Sequence, residues 1–267
     1  MIQKGSDHYV MSHGGCLPLL YVNNLFEHEL KISKKYISWH RPIHKKQIRM
    51  TSIQLLKTKR DSEKQKLIKK EKTKCLILSC TTIRYPIKII GWPYVEQYKI
   101  WVNDLSNMIK KFDQNIKKNV VYRCGGAEYG FNTDEILKKK HKLINISKTS
   151  KETFEDVISN AKITICAYPE TVISECLIYD APMIISISPK IHHFMPQIKK
   201  IIDELENKIF FSDPRKAAKF VNSIWNNPNQ WWQDKDTKKA VKKLKDYTFE
   251  INDNWLDEWK RIIKGIK

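Results

Sequence analysis

From residue 75 to residue 225 the sequence alternates two kinds of segment, and this limits the folds open to it more than any other feature. Short apolar runs stand at Cys75–Cys80, Asn119–Arg123, Lys142–Ile146, Ile163–Ala167, Pro182–Ile187 and Lys208–Phe211, each of strand length and rich in Ile and Val. Segments with helical spacing lie between and after them: Tyr94–Phe112, Thr133–Lys140, Ser150–Asn160, Glu170–Tyr179, Pro189–Glu206 and Pro214–Trp225. Two helix starts carry chemical marks. Ser150 offers a capping hydroxyl, and Asp213 stands directly before Pro214, the residue type suited to the first helical position. Parallel neighbours need crossover connections, and those place helices on the faces of the sheet. The pattern therefore predicts an α/β fold, a doubly wound parallel sheet of Rossmann type.

The rest of the chain divides around that block. Residues 1–44 show little sustained periodicity. Residues 45–74 hold 12 Lys/Arg and 3 Asp/Glu and read as a solvated basic linker with some helix. The Rossmann-like unit is expected over 75–230. Residues 231–267 read as two further amphipathic helices whose Trp231, Trp232, Trp255 and Trp259 serve as core or docking anchors.

Composition narrows the partners. A formal net charge of +20 points on its face to an anionic partner. The basic set, however, is 42 Lys and only 7 Arg, and Ile reaches 36, a skew that an AT-rich coding sequence produces by itself. Arg is the residue suited to bidentate phosphate and base contacts, so specific nucleic-acid binding is not expected. No run of about 20 apolar residues is present, which leaves at most peripheral membrane association. The start of the chain lacks the apolar core of a signal peptide, and a cytoplasmic location is expected. Six Cys without a Cys-x-x-Cys pair read as free thiols rather than a zinc site.

In an open parallel sheet, ligands bind beyond the carboxyl ends of the strands. Thr171, Ser174 and Glu175 fall in the opening turns of the helix after the Ile163–Ala167 strand, beside its partial positive end. Arg123 ends a strand and is followed by Gly125 and Gly126, a position from which a guanidinium can neutralise a phosphate. His13 follows the apolar Tyr9–Met11 and is expected at a strand end as an acid or base, with Gly14 and Gly15 opening the backbone to a phosphate. A structural turn is the alternative there. Glu27 and Glu29 flank His28 and share a side if the segment is extended, so either can serve as a base, a solvated acidic turn being the alternative. Lys35, Tyr36 and Trp39 either line the floor of a cleft or pack. Neither Gly-x-Gly-x-x-Gly nor a P-loop is present, and the adjacent His192 and His193 diverge by roughly 100° on a helix, poor geometry for one metal.

The block from Tyr168 to Ile184 resembles the nucleotide-sugar-binding segment of GT-B glycosyltransferases, in which a small polar residue and a Glu open the helix and a Pro begins the next strand. The resemblance implies that Glu175 accepts hydrogen bonds from a nucleotide ribose, with Thr171 and Ser174 near the phosphates and Tyr168 on the donor side. Ile209–Trp225, Trp231-Trp232-Gln233, Ser12–Gly15 and Glu27–Trp39 together resemble a family of surface-polysaccharide transferases. What this implies is transfer of a sugar from a nucleotide-activated donor to a carbohydrate or lipid-linked acceptor in surface-polysaccharide or lipopolysaccharide assembly. It further implies no metal, no cofactor beyond the donor substrate, and a place at the inner face of the membrane. Members of that family are longer, with an amino-terminal acceptor domain, and residues 1–44 look like the last strand and loop of that half. A chain that works with a separate amino-terminal partner and a non-catalytic, truncated transferase-like binding module both remain open.

Overall fold

The computed structural model describes residues 7–12, 14, 20, 24–66, 71–81, 84, 95–126 and 129–265. Strands β1 (Tyr9–Met11), β2 (Lys35–Ser38) and β3 (Gln47–Arg49) come first, with α1 (Asn24–Ile32) between the first two and α2 (Ile53–Lys66) after the third. They pair side by side in parallel, in the order β1-β2-β3. The second sheet takes β4 (Lys74–Cys80), β5 (Val120–Gly125), β6 (Asn145–Ser147), β7 (Ala161–Cys166), β8 (Met183–Ser186) and β9 (Phe210–Phe211). Its order is β6-β5-β4-β7-β8-β9 with every pairing parallel, the doubly wound arrangement that the alternation predicts. Between these strands run α3 (Val95–Lys111), α4 (Gln114–Lys117), α5 (Thr133–Lys140), α6 (Phe154–Ser159), α7 (Val172–Tyr179) and α8 (Pro196–Leu205). After β9 come α9 (Pro214–Ile224), α10 (Pro228–Gln233), α11 (Lys235–Thr248) and α12 (Trp255–Gly265).

Coverage of both faces explains why the strands read as continuous apolar runs. In β4, Cys75 and Ile77 pack with Trp101, Leu105 and Met108 of α3 and with Ala217 and Val221 of α9. Leu76 and Leu78 point the other way, into a cluster with Val157 of α6, Ile173 and Leu177 of α7, and Leu244 of α11. Central strands sandwiched like this have no polar face to show.

Several boundaries move. The small sheet continues past residue 44, because β3 lies inside the stretch expected as linker, and 14-residue α2 follows it and packs on α7. The cap of α6 is Thr153, not Ser150: its hydroxyl accepts from the N–H of Asp156 while the Asp156 carboxylate accepts from the N–H of Thr153, a reciprocal pair that Ser150 cannot form from three residues earlier. Helix α8 begins at Pro196 rather than Pro189. Asp213 caps α9 as expected, accepting from the N–H of Arg215. In the tail, the boundary at 230/231 cuts α10, and α10, α11 and α12 stand where two helices were expected.

The tail then returns to the small sheet. Arg49 of β3 donates to the carbonyls of Asp246 (2.7 Å) and Phe249 (2.8 Å) and pairs with Glu250 at 3.1 Å. The N–H of Arg41 donates to the carbonyl of Tyr247, and Trp259 of α12 donates to the carbonyl of Thr51 at 3.1 Å. These bonds fasten the two sheets to one another through the chain's last third.

Of the four tail Trp residues, only Trp232 is fully buried; its indole N–H donates to the carbonyl and carboxylate of Asp180 at the end of α7. Trp232→Ala is expected to remove about 3–5 kcal/mol of stability in urea unfolding, whereas Trp255→Ala, on a helix with no buried residue, should cost less than about 1 kcal/mol. Equal losses would show that Trp232 is not the anchor.

Candidate functional site

Because all strands of the larger sheet run the same way, their carboxyl ends collect on one edge, and the strand order reverses between β4 and β7. At that edge a cavity of about 470 Å³ opens beyond β4, β5 and β6, within the roughly 300–1,000 Å³ range of small-molecule sites. Thr81 follows β4, Cys124 and Gly126 lie at the end of β5, Ile146 through Ser150 follow and end β6, and Asp134 comes from the first turn of α5. The walls are rich in hydroxyls, with the ammonium of Lys148 beside them. The Thr81 hydroxyl donates to the carbonyl of Gly125 at 3.1 Å, which fixes the threonine against the turn after β5. Gly126 is required there: its φ is +85°, and a Cβ would stand 3.1 Å from Thr81 Oγ1. Arg84, exposed, reaches the carbonyl of Gly130 at 3.4 Å on the same edge.

Across the reversal point, the N–H of Ala167 donates to the carbonyl of Leu78 at 2.8 Å, and the chain turns through Tyr168 and Glu170 into α7. The Glu170 carboxyl is pushed up to about 7 by burial, against a lowering hydrogen bond from the N–H of Thr171. The small sheet approaches this turn closely. Gly14 has φ +119°, and a Cβ on it would lie 3.0 Å from Thr171 Oγ1. Any other residue there would press on the start of α7.

The structure sorts the residues singled out in the sequence. Gly14 and Thr171 meet. His13 and Gly15 lie outside the described residues. Arg123 requires a correction: alternation along β5 turns its side chain onto the α6 face rather than out beyond the strand, and it is buried, donating to Ser147 Oγ (2.8 Å) and the carbonyl of Glu152 (2.9 Å). Ser174 is buried within α7, and Tyr168 packs edge-on against Trp101 and His192. Neither side chain lines the cavity. Glu175 faces α2 and α6: burial raises its pKa, the Glu155 carboxylate adds to this, and Lys57 opposes it. Arg123 and Glu175 thus share one side of the sheet through Glu155, inside the helical layer. Glu27 and Glu29 sit on a helix, not an extended segment, so they diverge. Glu27 is exposed, while Glu29 lies beside the buried phenol of Tyr36.

Thr81, Gly126, Lys148 and Glu170 were not singled out from the sequence as ligand residues. The signal for the first three was the carboxyl-edge rule applied to every strand rather than chiefly to the one before α7: Thr81 and Lys148 each directly follow a strand. For Glu170 the signal was its place two residues before the start of that helix.

The sequence matches the description LIC12162 family transferase over residues 1–263. The chain belongs to the LIC12162 family of transferases. No curated protein matches it. Among solved structures, this LIC12162 family chain is similar to the wall teichoic acid polymerase TagF, at a TM-score of 0.50 and 11% identity over 97% of this chain and 67% of TagF. It is also similar to TarM, at a TM-score of 0.53 and 11% identity over 97% of this chain and 50% of TarM. At such identities the likeness is one of fold, and it is the GT-B type of fold that the sequence resemblance implied. The chain thus spans half the length of TarM.

One Asp-x-Asp sequence, the pattern that holds a cation in metal-dependent GT-A transferases, occurs in this LIC12162 family chain at Asp234-Lys235-Asp236. Asp234 is used otherwise: its carboxylate accepts from the N–H groups of Asp236 and Thr237 as the cap of α11, far along the chain from the carboxyl-edge cavity.

Glu170 supplies a pH test. Its folded pKa, about 7, lies above the ordinary 4.5, so the stability tied to its protonated form is complete below about 4.5 and is lost as pH rises through 7. The melting temperature should fall between pH 5 and pH 8 in the native chain and fall less, by several degrees, in Glu170→Gln. Parallel pH profiles would show that this carboxyl titrates like a solvated one.

Proposed function

We propose that this transferase is a glycosyltransferase, or the donor-binding half of one, that takes a nucleotide-activated sugar at the carboxyl edge of the larger sheet for surface-polysaccharide assembly. The observation that carries this reading is the position of the 470 Å³ cavity: it lies beside the strand-order reversal, where open parallel sheets bind nucleotides, and it is shaped by a glycine that leaves the backbone open. The family membership supports group transfer, and the fold shared with the teichoic acid polymerase TagF supports the surface-polymer setting.

In this reading the hydroxyls of Thr81 and Ser147–Ser150 hold the nucleoside portion. The phosphates lie toward the N–H groups that begin α7, with Lys148 and Arg84 as cations, the role first given to Arg123. An acceptor hydroxyl attacks the anomeric carbon, and the bond from that carbon to the phosphate oxygen breaks. The nucleotide leaves with the bonding pair, its new charge met by those N–H groups, the Lys148 ammonium and the Arg84 guanidinium. The acceptor's proton passes to a base. His13 and Glu170 are the candidates, and a carboxyl that titrates near 7 suits the task. The free thiols of Cys75, Cys166 and Cys176 fit a reducing, cytoplasmic setting. Among the described residues no helix is long and apolar enough to cross a membrane.

A partner chain that adds strands to the small sheet is the second reading. It is favoured by the unpaired outer edges of β1 and β3 among the described residues and by the half-length match to TarM.

Isothermal titration with CMP-, UDP- and GDP-sugars should show binding to one class. Lys148→Ala should weaken that binding by about tenfold or more, the equivalent of roughly 1.4 kcal/mol, with the melting temperature held, since Lys148 is exposed. No binding of any donor, with or without a separate chain supplying an amino-terminal half, would contradict the proposal.

A further inference from the structure

A second cavity, of about 200 Å³, lies at the carboxyl edge of the small sheet. It draws on the ends of all three parallel strands: Met11 and Ser12 after β1, Ser38 and Trp39 after β2, and Met50 through Gln54 between β3 and α2. Trp259 of α12 closes it from the tail, held there by its hydrogen bond to Thr51. Three features define what it can hold.

The first is charge. In a chain of formal charge +20, none of the cavity's lining residues is ionisable, so an anionic ligand would find no counter-charge and a cation no carboxylate. The second is the mixture of surfaces. Two indoles and the side chains of Met11, Ile37, Met50 and Ile53 make apolar walls, while Ser12, Ser38, Thr51, Ser52 and Gln54 place hydroxyls and an amide among them. Trp39 Nε1 is buried and has no hydrogen-bond partner among the described residues, so a ligand oxygen that reached it would supply one. The hydroxyls of Ser38, Thr51 and Ser52 already bond within the protein, so a purely apolar occupant would leave that donor and the Ser12 hydroxyl unanswered. The third is size: the volume is below the roughly 300–1,000 Å³ of sites for larger organic ligands and suits a single ring.

A saccharide ring joins these properties, with an apolar C–H face for an indole and a rim of neutral hydroxyls. The cavity also faces the right neighbour. Gln54 belongs to its lining and lies 4.0 Å from the position of a Cβ on Gly14, which in turn abuts Thr171 at the start of α7. We propose that this cavity is a binding site for one uncharged saccharide ring, with Trp39, Trp259 and Gln54 setting the preference for neutral over charged sugars. Its identification as the acceptor end of the transfer rests on the glycosyltransferase reading above; the binding of a neutral ring does not.

The test uses the full chain, titrated with methyl hexopyranosides, the same sugars carrying a 6-phosphate, and cyclohexane as a purely apolar probe. Tryptophan fluorescence and saturation-transfer NMR report on the site, and a nucleotide-sugar titration is run in parallel. Neutral glycosides should bind, and their phosphates about tenfold more weakly. Trp39→Phe, which keeps a ring and removes the N–H, should weaken the neutral sugar several-fold. Gln54→Lys, at an exposed position that folding tolerates, should shift the preference toward the 6-phosphate. Equal binding of neutral and phosphorylated sugars, binding of cyclohexane without any glycoside, or no response of either variant would overturn the inference. If nucleotide-sugar still binds in those cases, the donor reading stands without it; if neutral glycosides bind and no nucleotide-sugar does, this site stands and the donor reading fails.

Discussion

The structure depends on parallel strand pairing. Every pairing between named strands in both sheets is parallel, and parallel neighbours oblige the chain to cross over a face between strands. The crossovers bury both faces of the larger sheet, and the common direction brings the carboxyl ends, with the loops and helix starts that follow them, to one edge. The 470 Å³ cavity, the start of α7 and the smaller cavity are all products of that one constraint.

What brings the two edges together is a separate set of bonds. Arg49 is half-buried and its guanidinium holds carbonyls at the end of α11, while Trp259 and Asn252 grip Thr51. Burial lowers the pKa of Arg49 and the neighbouring Glu250 and Asp246 carboxylates offset the effect, so the charge is matched where it is least solvated. This fastening carries α12 over the small sheet, where it contributes a cavity wall. Gly14 can then lie against Thr171, a contact that has no room for a side chain.

The larger sheet was legible in the sequence because doubly covered strands have to be apolar throughout and their helices amphipathic. The six expected strands correspond to β4 through β9, with ends displaced by a few residues. The small sheet was legible only in part. Tyr9–Met11 reads as a strand, but β3 is three residues long in a Lys-rich stretch, and a strand so short has too little alternation to stand out. The site was the least legible. Sequence shows that Arg123 ends a strand, but the face its side chain takes follows from the β5 register and from Ser147 and Glu152, which are 24 and 29 residues away. Glu175 likewise opens a helix as the resemblance implied, yet α2 covers it, and that packing has no signature in the residues around 175. Glu27 and Glu29 were read for an extended segment, and a helix separates them.

The claim at the centre of this account is that the carboxyl edge beside the β4–β7 reversal is the seat of a nucleotide-activated sugar. A crystal structure of the protein soaked with a mixture of UDP, CMP and GDP at millimolar concentration tests it most directly. The account predicts density for one nucleotide outside the ends of β4, β5 and β6, against Thr81 and Gly126 with its phosphates toward the first N–H groups of α7. Density only elsewhere on the molecule, or an edge that stays empty at saturating nucleotide, would contradict it.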